Sequence, residues 1–189
     1  MKNTKVYVTA FCGVAIAMNI ILGIVTAALA IPLYLDTLGT VLTAAMFGPI
    51  PGIIVGCLTN VITGLIYSVS DIPFALVNMA VGLVVGLVAK KFKFNFVTAI
   101  ITGLALSVIC PAIGTPIGIA IYGGLEGNWS AVMVGALVKG GKTIFSAAFI
   151  TKITTNLVDK IGTCVVAVAL LKAMPNRFIE MLGAKNPAK

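Results

Sequence analysis

VYVTAFCGVAIAMNIILGIVTAA, running from Val6 to Ala28, is 23 residues without a single charge. A membrane-crossing helix needs about 20 mostly apolar residues, so this stretch predicts one. Met1-Lys2-Asn3-Thr4-Lys5 in front of it has the basic character of a secretory n-region. The apolar run is too long for a signal peptide and carries no clear small-residue cleavage site, so it is read as a retained first span.

The pattern recurs along the chain. Ala30 to Asp36 interrupts it with Pro32 and an acid, and a short helix is expected from Asp36 to Phe47, with Asp36 as N-cap. Gly48-Pro49-Ile50-Pro51-Gly52 reads as a tight turn. Further apolar segments cover 53–69, 74–89, 96–122 and 153–171. Pro111 and Pro116 fall inside the fifth, where a membrane helix tolerates them if neighbours satisfy the freed carbonyls. The composition agrees with this reading: 60% of the 189 residues are apolar and 10% charged, against about 25% charged in a soluble domain, and the mean hydropathy is +1.15. A soluble enzyme, a disordered tail and a disulfide scaffold are excluded.

The net charge of +8 orients the chain. Lys2, Lys5, the cluster Lys90-Lys91-Phe92-Lys93 and the tail beyond Met174 flank apolar segments, so the positive-inside rule places them in the cytoplasm. Four passes separate the N-terminus from Lys90, and two more return the tail inside. The expectation is an all-α integral membrane protein: a six-helix bundle over residues 1–175, with both termini cytoplasmic and a cytoplasmic tail at 176–189. Residues 130–151 then form an outer loop, an amphipathic helix or a membrane-dipping segment. Basic residues are not interleaved with aromatics, which argues against nucleic acid.

Few side chains are available for chemistry. With no His in the chain, a zinc site and a Ser-His-Asp triad lack their parts, so no catalytic residue, metal or cofactor is assigned. Cys12, Cys57, Cys110 and Cys164 each lie in an apolar segment and read as small hydrophobes. Asp36 and Asp71 are the only charges between Val6 and Ala89, placed by their spans at the outer ends of helices, where capping and solvation account for them more readily than ligand contact. Asn60 and Asn78 sit within apolar helices and must find partners, either another helix or a ligand. Asn156, Asp159 and Lys160 share spacings of three and four near the start of the last span, where charges usually mark a site, the alternative being an Asp-Lys pair at the interface. Lys139, Lys142, Lys152 and Lys160 lie on or near the outer side, against the orientation rule; they direct attention there for an acidic or polar ligand. Thr9, Gly13 and Ala17 form a small-residue stripe on the first helix, suited to close helix approach within the protein or with a partner.

Tyr34-Leu35-Asp36-Thr37-Leu38-Gly39-Thr40, followed by Ala44 to Gly56 with its Gly48-Pro49-x-x-Gly52 turn, and the late Val158-Asp159-Lys160 before Leu171-Lys172-Ala173-Met174-Pro175, together resemble the S components of energy-coupling factor (ECF) vitamin transporters, in particular the riboflavin-type branch. The likeness covers nearly the whole chain. It implies a six-helix substrate-binding subunit of an ABC importer in the bacterial cell membrane, capturing a vitamin or related heterocycle at the outer face. The subunit would then dock on a membrane coupling protein driven by two cytosolic ATPases. The family's Ala-xxx-Ala docking motif is replaced here by Thr9-xxx-Gly13-xxx-Ala17. By position, the resemblance assigns substrate contacts to Tyr34, Asn78, Trp129, Asn156, Asp159 and Lys160. The single Trp and four Tyr argue against thiamin, whose binders look richer in aromatics and include a His, and leave a pyridoxine-like, pyrimidine, flavin or queuosine-precursor ligand open. Gly135-x-x-x-x-Gly140-Gly141-Lys142-Thr143 misses the phosphate-loop spacing by one residue, so energy would come from partners. A self-sufficient secondary transporter is the competing reading; a membrane enzyme is hard to assemble from five dispersed acids.

Overall fold

A computed structural model describes residues 2–29, 34–124, 129–184 and 187–188. They form helices α1 (Lys2–Ala28), α2 (Leu38–Phe47), α3 (Pro49–Ile66), α4 (Ala75–Lys91), α5 (Phe96–Tyr122), α6 (Trp129–Lys139), α7 (Ile144–Ala173) and α8 (Asn176–Met181), with a 3₁₀ turn, Val69–Phe74, leading into α4. No strand occurs among the described residues. Five helical segments are long and apolar enough to cross a membrane: Lys5–Ala28, Pro49–Ile66, Val69–Lys91, Phe96–Tyr122 and Ile144–Ala173.

Polarity is distributed as a bilayer requires. Val14, Ile21, Leu65, Ile101 and Val108 point outward, whereas Asn19, Thr40, Thr59, Asn78, Asp159 and Lys160 are buried. Apolar lipid removes the usual drive to hide leucine, so van der Waals packing and interhelical hydrogen bonds hold such a bundle together. α5 and α7 are the most intimate pair. A Cβ on Gly103 of α5 would lie 2.6 Å from the Ile161 Cα on α7, so only hydrogen fits. Gly103→Leu is expected to push the two helices apart and lower the melting temperature in detergent by several degrees; an unchanged melting curve would show that the pair repacks freely.

Several boundaries differ from the sequence reading. α2 has ten residues, about 15 Å at 1.5 Å per residue, and cannot span alone. Its residues Leu38–Met46 are all buried, because α1, α3, α4 and α7 surround it. Asp36 does not cap α2; Thr37 occupies that position without a side-chain cap bond. The turn before α3 is confined to Gly48, whose φ of 92° suits glycine, and Pro49 already begins the helix. α5 runs through both prolines without a break, from an Asn95 cap accepting from the Thr98 N–H (3.0 Å) to a left-handed Gly123. The last long helix begins at Ile144, nine residues before the expected Ile153, because the Thr143 hydroxyl accepts from the Ser146 N–H at 3.2 Å and starts it there. Residues 130–151 are therefore most of α6, a turn at Gly140-Gly141, and the first turns of α7. α6 packs on α7 through Val134, Ala147 and Ala148.

One end of the bundle gathers the basic elements. Phe11 meets Phe47 edge-on at 5.4 Å, the Phe94 N–H donates to the Pro187 carbonyl at 2.8 Å, and the Lys172 ammonium lies 4.3 Å from the Phe96 ring centroid. Lys90, Lys91 and the post-α7 chain are thus at the end where α1 begins.

A candidate ligand cavity

At the opposite end, a cavity of about 800 Å³ opens between α1, α3, α4, α5, α7 and the chain entering α2. It is within the size range of small-molecule sites, about 300–1,000 Å³.

Its floor is a continuous amide and hydroxyl network. The Asn19 side chain on α1 accepts from the Gly39 N–H (2.6 Å) and donates to the hydroxyls of Thr40 (3.0 Å) and Thr59 (3.1 Å). Thr40 donates to Asn78 Oδ1 at 2.8 Å, and Asn78 Nδ2 donates to Asn60 Oδ1 at 3.0 Å. Four helices are fastened at one depth, which is the strongest use of polar groups where no water competes. The network is also why Gly39 carries no side chain: a Cβ there would strike the Ala15 carbonyl on α1.

One wall is ionic. Lys160 Nζ lies 2.7 Å from Asp159 Oδ2, 3.1 Å from the Thr37 hydroxyl and 4.0 Å from Asp36 Oδ1. Asp159 Oδ1 accepts from the backbone N–H groups of Tyr34 (2.8 Å) and Leu35 (3.0 Å). Non-helical backbone at membrane depth survives only where protein or a cavity covers it, and Asp159 provides that cover for the chain entering α2. Leu35 is held there at φ 48°, the only positive φ among described non-glycine residues.

The mouth is aromatic. Phe74 and Tyr122 stack with centroids 6.4 Å apart, and the Tyr122 hydroxyl donates to Asp71 Oδ1 at 2.9 Å. Lys152 reaches over the Phe74 ring, 5.4 Å from its centroid, and donates to the Gly114 carbonyl at 3.0 Å.

Tyr34, Asn78, Asn156 and Lys160 all line this cavity, although 122 residues separate Tyr34 from Asn156. Their availability differs. Both polar atoms of the Asn78 amide are taken by Thr40 and Asn60. Asn156 Nδ2 donates to the Lys152 carbonyl at 2.9 Å, while no described hydrogen bond occupies its Oδ1. Asp159 is fully buried, is not among the lining residues, and is occupied by Lys160 and the 34–35 backbone; its place is behind the wall. Trp129 opens α6, and its side chain lies outside the described residues. Asn19, Asp36, Thr59, Asn60 and Phe74 also line the cavity without having been assigned to it. Asn19 had the same signal as Asn60 and Asn78: an amide inside a charge-free span.

Lys152 and Lys160 are committed to protein acceptors, and Lys139 and Lys142 are exposed at the α6–α7 turn. The outer lysines therefore do not form an anion-binding set. Thr9, Gly13 and Ala17 are exposed on α1, with nothing within 4 Å of a Cβ built on Gly13; the close internal contact of α1 is made instead at Ala15. Among the described residues no cluster of three or more His, Cys, Asp or Glu is arranged to hold a metal. Compared with protein-family models, curated proteins and solved structures, the chain matches none.

Proposed function

We propose that the chain is the substrate-binding subunit of an ECF-type ABC importer in a bacterial cell membrane, capturing a vitamin or related small heterocycle at the outer face. What carries the reading is the polar-floored cavity of about 800 Å³ at the end of the bundle away from the basic cluster. In this reading α2, with the turn that leads into it from Tyr34, makes a sixth crossing, and the positive-inside rule puts both termini in the cytoplasm. Ligand enters past Phe74 and Tyr122. Its polar edge meets the ionic wall and the amide floor, while the aromatic mouth excludes water. The subunit then docks through the exposed Thr9, Gly13 and Ala17 stripe on a coupling protein. Two cytosolic ATPases supply the energy, and the chain itself catalyses nothing.

The buried Lys160, Asp159 and Asp36 group supports a second reading, because a self-sufficient secondary transporter needs ionisable groups at membrane depth. Uptake into proteoliposomes separates the two. The binding-subunit reading expects accumulation of the co-purifying molecule only with coupling protein, ATPases and ATP present. Accumulation by this chain alone, driven by an ion gradient, would establish the second reading instead.

A further inference from the structure

Resting on the binding-subunit reading, we infer that the cavity selects a positively charged heteroaromatic ligand, with Asp36 as its counter-ion. Within and directly behind the lining stand three carboxylates, Asp36, Asp71 and Asp159, against two ammonium groups, Lys152 and Lys160. The described site is therefore one negative charge out of balance. In a low-dielectric setting such an excess is costly, and a bound cation offsets it.

The excess localises at Asp36. Asp159 has its counter-ion, Lys160, 2.7 Å from Oδ2 and accepts two backbone N–H groups on Oδ1. Asp71 accepts from the Tyr122 hydroxyl. Among the described residues Asp36 has only Lys160 at 4.0 Å, beyond hydrogen-bond length, and its buried Oδ1 has no hydrogen-bond partner. Its side chain, 41% exposed overall, opens on the cavity. A charged donor reaching Asp36 completes the wall.

The remaining open groups sharpen the chemistry. Asn156 Oδ1 is a free acceptor, and Asn60, whose Oδ1 is taken by Asn78, retains its Nδ2 as a donor. The ligand therefore presents a cationic edge to Asp36, a donor to Asn156 and an acceptor to Asn60. The Tyr122 ring, stacked on Phe74 at the mouth, matches a flat body.

The test uses the purified protein in lipid nanodiscs and two series matched in shape: 1-methylnicotinamide, nicotinamide and nicotinate, and 1-methylquinolinium, quinoline and quinoline-3-carboxylate. Thermal stabilisation against concentration gives each affinity. Each cation is expected to bind at least about tenfold more tightly than its neutral and anionic analogues, the scale of one charge-assisted hydrogen bond. Asp36→Asn should abolish that preference, and Asp36→Glu should keep it. If Asp36→Asn fails to fold, the wild-type ranking decides alone. Neutral or anionic analogues binding as tightly as the cations would overturn the charge inference and leave the binding subunit intact. Binding by no compound of either series would overturn the inference too; should no small molecule co-purify either, the binding reading falls with it.

Discussion

Asp159→Ala is expected to destabilise the protein by about 3–5 kcal/mol, the scale for breaking one partner out of a buried ion pair. Three losses coincide. Lys160, 4% exposed, keeps its charge without its 2.7 Å counter-ion. The N–H groups of Tyr34 and Leu35 lose their acceptor. The chain entering α2 loses its backbone anchor on α7 and keeps there only the Lys160 contacts to Thr37 and Asp36, while the amide network still fixes Gly39. Denaturation in mild detergent, followed by circular dichroism, reads the effect. Asp159→Asn retains an acceptor for the two backbone donors and should fall between wild type and alanine. Combining Asp159→Ala with Lys160→Met removes the unpaired charge, so the double variant should be more stable than Asp159→Ala alone. A double variant as unstable as the sum of its parts would show that the pair is not the organising contact.

Gly13→Leu is expected to abolish uptake by the assembled transporter while leaving ligand affinity and melting temperature within error of wild type. The position is exposed and a Cβ built there meets nothing within 4 Å, so leucine is expected to fit the isolated subunit. Small residues at 9, 13 and 17 matter only if another helix approaches them closely. Paired measurements, ligand binding by the isolated subunit and ATP-dependent uptake by the complex, separate the two effects. Normal uptake would remove this face of α1 from the docking surface.

The parts of the fold that were legible in the sequence are those fixed locally. α5 has an asparagine cap in front, a glycine in the left-handed region behind and no charge between, and its bounds coincide with the apolar run. The bounds of α2 depend instead on contacts distant in sequence. Asn19 holds Gly39, and Asp159 holds Tyr34 from 125 positions away; no local pattern encodes either. The start of α7 was obscured because Lys152 looked like the edge of a span. The structure shows its long side chain turned to the Gly114 carbonyl, which lets a lysine sit well inside a helix.

The site was legible to the same extent. Helical spacing put Asn156 and Lys160 on one face of the last helix, and both line the cavity. It also placed Asp159 there, because Asn156 and Asp159 are three residues apart, but the carboxylate turns to the backbone of another segment. Asn19 was overlooked although a lone amide in a charge-free span is the signal that identified Asn60 and Asn78. The outer lysines direct attention to an acidic or polar ligand, but Lys152 and Lys160 are each turned to a protein acceptor.

The most direct measurement is native mass spectrometry of the protein released from its own membrane, wild type beside Asn60→Trp, which fills the cavity from α3. One small molecule per chain on the wild type, absent from a folded Asn60→Trp variant, is the predicted result. A wild type that carries no small molecule, or a variant that carries the same one equally well, would contradict the claim that this cavity is the binding site.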